Sequence, residues 1–587
     1  MACTICRRII LLLRCIAERY EYFGTRFYNF TEMVEREKEN MKLRVVFLGG
    51  IEEIGKNMTL FEFENESILL DAGFKFPGVE LLGIDKVIPD MTYLIDNIDK
   101  LKGIILSHGH ADHIGAIRYF ADKIKVPIYS SPLTLGILKE ELPSYMVKAL
   151  NFVEVKLPST HTIGKTKVDF IRMTHSIPDG FSTVFHTPFG SIVESGDFKI
   201  DLTPIDNKPI DLQSLAQAGK QGVLLYMGDS TNADEDGFTG SEKTVGQKLE
   251  DLIRGTDQRV FVGTFSTNLH RLQQVFDIAR KVNRKVLVDG KSIMQVIQVA
   301  SKLKYFQVDQ SQLITYAQAA RIPDSEILIL TTGTQGEPFS GLTRLARNNH
   351  DSLQTKKGDL VIISADPIPG NEAFVCQVID NLLKRGAEVI YKREGVHVSG
   401  HGSKEDLRTM LSILKPKFFI PIHGEYRQMY AHTRIAQETG IPATNTVIVE
   451  NGTIISLTKN QLTKVGKIPS EPVFIDGKMV GDVEYSVIDE RKRLSREGVL
   501  NTVLLVNKKT RKLSSDPIIE TKGLMSTKFS SELFQLAKKG IEEVVLKWSN
   551  QNGNASDLEK MVKGYLSSFI SSEVRRNPII FVTVLGA

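Results

Sequence analysis

The chain has 587 residues, enough for about three or four domains. Its 42% hydrophobic and 25% charged content is that of an ordinary soluble globular protein and excludes a low-complexity or repeat class. A net charge of +4, from 74 basic and 70 acidic residues, is too mild to argue nucleic-acid binding from bulk charge; any such contact must come from local features.

Residues 1–40 read as a weakly structured extension. Their apolar run Ile9-Ile10-Leu11-Leu12-Leu13 is broken by Arg14, far short of a membrane span and lacking a signal-peptide pattern. Cys3 and Cys6 form a Cys-x-x-Cys, but no second pair completes a zinc ribbon. Cys15 and Cys376 are the only other cysteines, so no disulfide framework is supported and a reducing compartment fits best. Cys376 is expected in the core, on an apolar helix face. Met41 opens a clean strand pattern and is read as the start of the folded body.

Strands are expected at 43–48, 58–63 and 68–71, the last two paired around the turn at Asn65. The apolar run 103–107 reads as a buried strand ending at Ser107, and 114–117 as the start of a helix. Further strands are expected at 126–130, 153–157, 167–173, 182–186, 191–194 and 223–227. Near residue 240 the style changes. Strands at 260–264, 286–288, 327–330, 360–364 and 389–391 alternate with helices at 271–283, 292–303, 341–347 and 373–384. Such alternation implies a parallel sheet covered by helices. A helix at 404–414, a strand at 418–422 and a helix at 426–438 follow. From about 465 a separate pattern begins: helix 489–497, strands 502–506 and 518–521, helices 529–549 and 555–574, strand 578–584. The basic clusters 491–493 and 508–512 read as solvated faces.

Three of the twelve histidines fall within His108-Gly109-His110-Ala111-Asp112-His113, at the end of an apolar run. Ligands at a strand's C-terminal end converge outside the sheet. Neutral imidazole and carboxylate suit Zn²⁺, and Mn²⁺ accepts the same groups. His175, Asp197 and His423 each lie just past another apolar run, and sheet ends gather distant residues into one cleft. A carboxylate can bridge two cations. The expected sets are therefore His108, His110, His175 and Asp197 for one metal, and Asp112, His113, Asp197 and His423 for the other, a two-metal hydrolytic arrangement. Asp71, ending a strand, is expected to orient a ligating imidazole, although a plain turn Asp would look the same. His161, His186, His270, His350 and His432 read as surface or packed core, with His270 set apart by its place beside Asn268.

His-x-His-x-Asp-His, a later His, a later Asp and a final His form a ligand pattern that resembles the metallo-β-lactamase superfamily. The gap of 226 residues from Asp197 to His423 holds the second α/β body, as in the β-CASP nucleases. Asp229 in Gly-Asp-Ser-Thr-Asn, His401 in His-Val-Ser-Gly-His and His423 in Ile-His-Gly-Glu resemble that subgroup's additional motifs. The stretches 49–58, 263–268, 333–338 and 397–403 and the extra C-terminal domain are similar to bacterial ribonuclease J. The resemblance spans nearly all of 41–587.

It implies an α/β (α+β) fold: a metallo-β-lactamase αββα sandwich (41–240 and 396–455), an inserted β-CASP domain (241–395), and a linker with a small C-terminal α/β domain (456–587). It further implies a cytoplasmic ribonuclease holding two Zn²⁺ per chain, with Mn²⁺ or Mg²⁺ as alternatives. The implied activity is endonucleolytic and 5′-to-3′ exonucleolytic cleavage of single-stranded RNA in rRNA maturation and mRNA decay. Catalytic roles would fall to Asp197, Asp229 and His401, the last as stabiliser and acid for the leaving oxygen. A terminal 5′-phosphate would meet Ser266, Thr267 and Asn268 before a helix, and His397, Val398, Ser399, Gly400 and His401. The plain reading of Ser266 and Asn268 is helix capping. The C-terminal domain would mediate a homodimer or homotetramer, alone or with a paralogous subunit, and no membrane is implied. The competing expectations are a thioester or lactam hydrolase, a DNA nuclease, and a non-catalytic RNA-binding scaffold; retention of all seven ligand residues speaks against the last.

Overall fold

The computed structural model describes residues 43–587, apart from 336, 338, 339, 369, 392–394, 552 and 587 and the side chains of 527–530. The extension, its cysteines and Met41 lie outside the described residues. The chain divides into two compact units, one built from residues up to 76 and 87–473, the other from 77–86 and 474–587.

The first unit is organised by two sheets packed face to face. One has the spatial order Leu462–Lys467, Thr453–Leu457, Leu43–Gly49, Met58–Phe63, Glu66–Leu70, Leu101–Ile105, Ile128–Ser130, Phe152–Glu154. The other runs Phe418–Ile422, Val223–Asp229, Gly190–Glu194, Phe181–Thr187, Thr166–Arg172, Ser159–Ile163. Alternate residues of facing strands fill the space between: Phe47, Phe61, Phe170, Phe185, Ile192, Leu225 and Ile420 are all buried in one cluster. Fully burying each such side chain contributes about 1.5–3 kcal/mol. On the second sheet's far face Val193, Tyr226 and Phe419 meet Leu215, Leu407, Met410 and Ile435 from three helices, Leu212–Gln221, Lys404–Leu414 and Tyr426–Glu438.

Two late returns of the chain close this body. Phe418–Ile422 pairs in parallel with Val223–Asp229, setting Ile422 opposite Asp229. Thr453–Leu457 pairs antiparallel with Leu43–Gly49. In the chain between Val223–Asp229 and Phe418–Ile422 lies an all-parallel sheet, ordered Leu313–Ile314, Lys285–Asp289, Ile327–Thr331, Val260–Gly263, Leu360–Ile363, Glu388–Ile390. Its strands are mostly apolar, with Lys285, Asp289, Thr331 and Glu388 at their ends, as burial by helices on both faces requires.

In the second unit the order is Ile518–Lys522, Val499–Leu505, Ile579–Leu585. Leu500 and Leu504 pack against Ile541, Val545, Leu558, Val562 and Leu566 of the helices Thr527–Ser549 and Ala555–Val574. Of its basic clusters, Arg491 pairs with Asp476 at 2.5 Å and the Arg511 guanidinium lies 4.0 Å from the centre of the Trp548 ring. No helix among the described residues is long and apolar enough to cross a membrane.

Several local readings need correction. The strand expected to end at Ser107 ends at Ile105, and the helix expected from Ile114 is Ala111–Ile114, with His110 as its N-cap. Asp112 and His113 therefore sit in a helical turn. Cys376 is exposed. Val375, Val378, Ile379 and Leu382 form the buried stripe of its helix, and a residue one step from Val375 turns about 100° away. The helices Pro132–Glu141, Leu212–Gln221 and Glu242–Arg254 and the strand Ser159–Ile163 went unread. That strand is Ser-Thr-His-Thr-Ile, and its polar residues hide the β pattern.

Candidate metal centre

The turn carrying 108–113 is laced to the segment 57–74. Asn57 and Ala72 donate backbone N–H bonds to the carbonyls of Asp112 (3.0 Å) and His113 (2.8 Å). The Asn57 side-chain amide also lies 3.2 Å from the Asp112 carbonyl. Gly73 is required here, because a Cβ would sit 1.5 Å from the Asp112 carbonyl oxygen. Asp71 is held in the left-handed region at φ 58°. Its carboxylate accepts from Ser107 N–H and Oγ, both at 2.8 Å, and stands 2.7 Å from His113 Nδ1.

All seven sequence-selected residues meet. Ligand atoms of His108, His110, His175 and Asp197 lie within 4.8 Å of one another, and so do those of Asp112, His113, Asp197 and His423. Asp197 belongs to both groups. It also belongs to a third, with Asp229, His401 and His423. The Asp197 carboxylate is 3.6 Å from His108, 3.2 Å from His113 and 3.5 Å from His423.

The hydrogen bonds fit a cation on each side of Asp197. His175 Nδ1 donates to the Gly400 carbonyl at 2.7 Å. His113 Nδ1 donates to Asp71. His110 Nε2 faces Ser176 Oγ at 3.1 Å, and His108 Nδ1 faces Ser107 Oγ at 3.1 Å. His423 Nδ1 faces Thr231 Oγ1 at 2.8 Å, and that hydroxyl donates to Asp229. For His108, His110 and His175, with the outer nitrogen as donor, the inner one keeps its lone pair, which is how a metal-binding imidazole is oriented. Burial lowers His113 and His423, but Asp197 and the neighbouring carboxylates more than offset it and push both well above the usual histidine range. Three inner nitrogens crowd together: those of His108 and His175 each stand 3.1 Å from His110 Nδ1. With the outer nitrogens as donors these lone pairs face one another, and a shared cation would relieve that repulsion. Burial, then neighbouring His113, holds His108 well below the usual histidine range, and burial holds His175 well below it and lowers His110 to about 4. All three are neutral at pH 7, as ligands must be. Behind the cluster, burial and the nearby Asp71 push Glu194 up to about 8, leaving it a neutral acid.

His401 lies at the rim, its side chain 19% exposed, with Nδ1 2.8 Å from Asp229. Burial lowers its pKa, but Asp229 and Asp197 more than offset that, and the net shift is upward. The loop that carries it is tied down by Asn232, whose amide donates to Ser399 Oγ (2.8 Å) and the His401 carbonyl (3.0 Å).

The selected phosphate contacts are less unified. Asn268 caps the helix Leu269–Lys281, accepting from Arg271 N–H at 3.1 Å, while Ser266 and Thr267 form the half-buried turn before it. Among the described residues no hydrogen bond joins this turn directly to 397–401. His270 is buried and lines a small cavity with His175, Asp201 and Asp206. His432 is wholly buried and 3.0 Å from Ser230 Oγ, and His186 pairs with Asp169 at 2.5 Å. Sequence reasoning missed Asn57, Thr231, Asn232, Lys199, Glu242 and Arg271. Only proximity to the Gly-Lys-Asn-Met and Gly-Asp-Ser-Thr-Asn stretches could have flagged the first three.

Comparison with known proteins gives a consistent result. Residues 52–263 match the metallo-beta-lactamase superfamily and 257–382 the ribonuclease J beta-CASP domain. Residues 386–447 match a Zn-dependent metallo-hydrolase RNA specificity domain, and 486–587 the ribonuclease J C-terminal domain. The chain is 38% identical over 553 residues to ribonuclease J2 of Bacillus subtilis, covering 94% of this chain and 100% of that protein. It is 39% identical over 557 residues to ribonuclease J of Synechocystis, covering 93% and 87%. It is 37% identical over 556 residues to ribonuclease J of Thermus thermophilus, covering 92% and 95%. A solved Enterococcus faecalis protein of unknown function shares the fold, at TM-score 0.51 and 18% identity over 71% of this chain and all of that one. Identity of this extent, over almost the whole length of both proteins, places the chain in the ribonuclease J family of metal-dependent ribonucleases, within the metallo-β-lactamase superfamily.

Proposed function

We propose that this chain hydrolyses single-stranded RNA with the help of two divalent cations, cutting internally and also stepwise from a 5′-monophosphate end toward the 3′ end. The observation that carries the reading is the convergence of seven metal-binding side chains around one shared carboxylate, Asp197, next to the rim group His401. His108, His110 and His175 would hold one cation and Asp112, His113 and His423 the other. Zn²⁺ suits this imidazole-rich set, with Mn²⁺ or Mg²⁺ as alternatives. Cations bound here would activate water and neutralise charge on the phosphate oxygens.

The protein's own groups do the rest. Asp71, Ser107, Ser176, Thr231 and the Gly400 carbonyl orient the five imidazoles toward the centre. His401 keeps its proton above the ordinary histidine range and, at the partly open rim, is placed to give it to the leaving 3′ oxygen. Asp229 orients that ring through Nδ1, leaving Nε2 for the substrate. The turn 266–268 and the loop 397–401 would receive a terminal phosphate; helix capping by Asn268 and phosphate binding by neighbouring N–H groups are compatible. The inserted parallel-sheet domain would roof the cleft into a channel, which favours a polymer over a thioester or lactam. We further propose roles in rRNA maturation and mRNA decay, a cytoplasmic location, and self-association as a homodimer or homotetramer, alone or with a paralogous subunit.

The test is digestion of 5′-monophosphate, 5′-triphosphate and circular RNA, with a matched DNA oligonucleotide, across Zn²⁺, Mn²⁺ and Mg²⁺. Cleavage of circular RNA and preferential stepwise loss from 5′-monophosphate ends are expected. Preferential cutting of DNA would overturn the substrate class. Cleavage of circular RNA with indifference to the 5′ group would overturn the exonucleolytic part.

A further inference from the structure

The loop 396–401 is held from behind by buried charge. Val396 O accepts from Arg271 Nη1 at 2.9 Å and Ser364 Oγ at 2.6 Å. Ser399 O accepts from Lys199 Nζ at 3.0 Å, and Gly400 O from His175 Nδ1 at 2.7 Å. The two cations meet at one carboxylate: Glu242 lies 2.7 Å from Arg271 Nη2 and 4.0 Å from Lys199 Nζ. Arg271 is fully enclosed, and Lys199 and Glu242 are each 1% exposed.

This anchoring decides which way the loop's donors point. A trans peptide holds its C=O and N–H antiparallel. With the carbonyls of Val396 and Ser399 drawn toward buried cations, the N–H groups of His397 and Gly400 turn to the other side. Among the described residues neither N–H has a backbone acceptor. Outward N–H groups in such a loop form an anion cradle. Arg271 also governs the facing half. It is the third residue of the helix Leu269–Lys281, and its own N–H binds the cap Asn268 that ends the turn 266–268. A single residue thus fastens the turn by its backbone N–H and the loop by its guanidinium fork, and a lysine could not reproduce the fork.

We infer that Arg271 is a positioning residue for recognition of the RNA 5′ end, setting the turn 266–268 and the loop 396–401 at one fixed spacing, with Glu242 and Lys199 tying that assembly to the strand end that carries Asp197. The inference rests on the proposed 5′-phosphate site. Arg271 itself, enclosed, touches no substrate. A residue that merely held the domains together would affect every substrate alike.

The experiment uses the full chain and its Arg271→Lys and Ser364→Ala variants, on 5′-monophosphate RNA, the same RNA with a 5′-hydroxyl, and circular RNA. For Arg271→Lys, KM on 5′-monophosphate RNA should rise about tenfold with kcat nearly kept, while circular RNA changes by no more than about twofold. Ser364→Ala, which removes one hydroxyl beside the same carbonyl, should move the ratio the same way by less, and it decides alone if Arg271→Lys does not fold. Equal losses on both substrates, or an unchanged ratio in both variants when the parent protein prefers 5′-monophosphate RNA, would overturn the role of Arg271 alone. A parent protein indifferent to the 5′ group would remove the phosphate site itself, and this inference with it.

Discussion

At the scale of single residues, the site is assembled by backbone that ordinary side chains avoid. Asp71 and His423 both sit at positive φ, 58° and 50°. Such conformations cost of order 1–3 kcal/mol and persist where surrounding bonds over-determine them. Here Ser107 and His113 fix Asp71, while Thr231 and Asp229 fix His423. Asp197 is the residue both ligand groups share. Asp197→Asn should therefore strip the site of metal and lower turnover on every RNA by at least about a hundredfold. Circular dichroism should show a retained fold, and elemental analysis should show the metal gone; near-normal turnover would refute the shared role. His401 yields a pH prediction. Its upward shift keeps the ring protonated above the ordinary histidine range, so an acid role is present below that raised value and lost as pH climbs through it. Asp229→Asn removes the largest upward influence and should move the alkaline limb of the kcat profile to lower pH. A limb that stays put would end the acid role of His401. At this scale the seven side chains that cluster were legible, because imidazoles and carboxylates at strand ends are rare and chemically specific. Lys199, Glu242 and Arg271 were not, because a buried charge looks like any other charge until its neighbours are known.

At the scale of elements, the sequence spoke clearly where periodicity was strong. The strands Met58–Phe63 and Phe418–Ile422 and the helices Gly341–Arg347, Lys404–Leu414 and Tyr426–Glu438 have the bounds read from their patterns. Signals failed where tertiary contacts overrode local preference. Ala111–Ile114 is a single helical turn held by Asn57 and Ala72 rather than by its own propensity. Thr453–Leu457 is a strand because Leu43–Gly49 offers it an edge. Loop and ligand also constrain each other: a Cβ on Gly400 would lie 2.6 Å from His175 Cε1. Gly400→Ala should displace that imidazole or the loop, cutting activity on all substrates while costing about 1–3 kcal/mol of stability. Thermal unfolding beside turnover would check this, and an unaffected rate would show that the loop can yield without cost.

At the scale of the whole molecule, the C-terminal unit has a sheet with one covered face and one bare. Helices cover Leu500 and Leu504, whereas Leu505, Ile518, Phe581 and Leu585 on the strands are 45–57% exposed. A cluster of large apolar side chains at a surface marks an association site more often than chance. Phe581→Glu with Leu585→Glu should lower the sedimenting mass by a whole number of chains while leaving RNA cleavage per chain intact; an unchanged mass would place self-association elsewhere. The four family matches run in order along the chain, and the clustered His and Asp residues straddle the inserted parallel sheet. That arrangement is global, and no window of sequence contains it.

By itself the sequence determined the fold class, the family and which His and Asp residues would cluster, since these rest on residue types at fixed spacings and on hydrophobic periods that survive any packing. Only the tertiary structure decided which nitrogen of each imidazole faces inward, why His423 can meet Asp112 from 311 residues away, and how Arg271 holds the loop behind His401. Those facts depend on strand pairing between distant segments, where burial fixes one partner for each polar atom out of the many the chain could have offered.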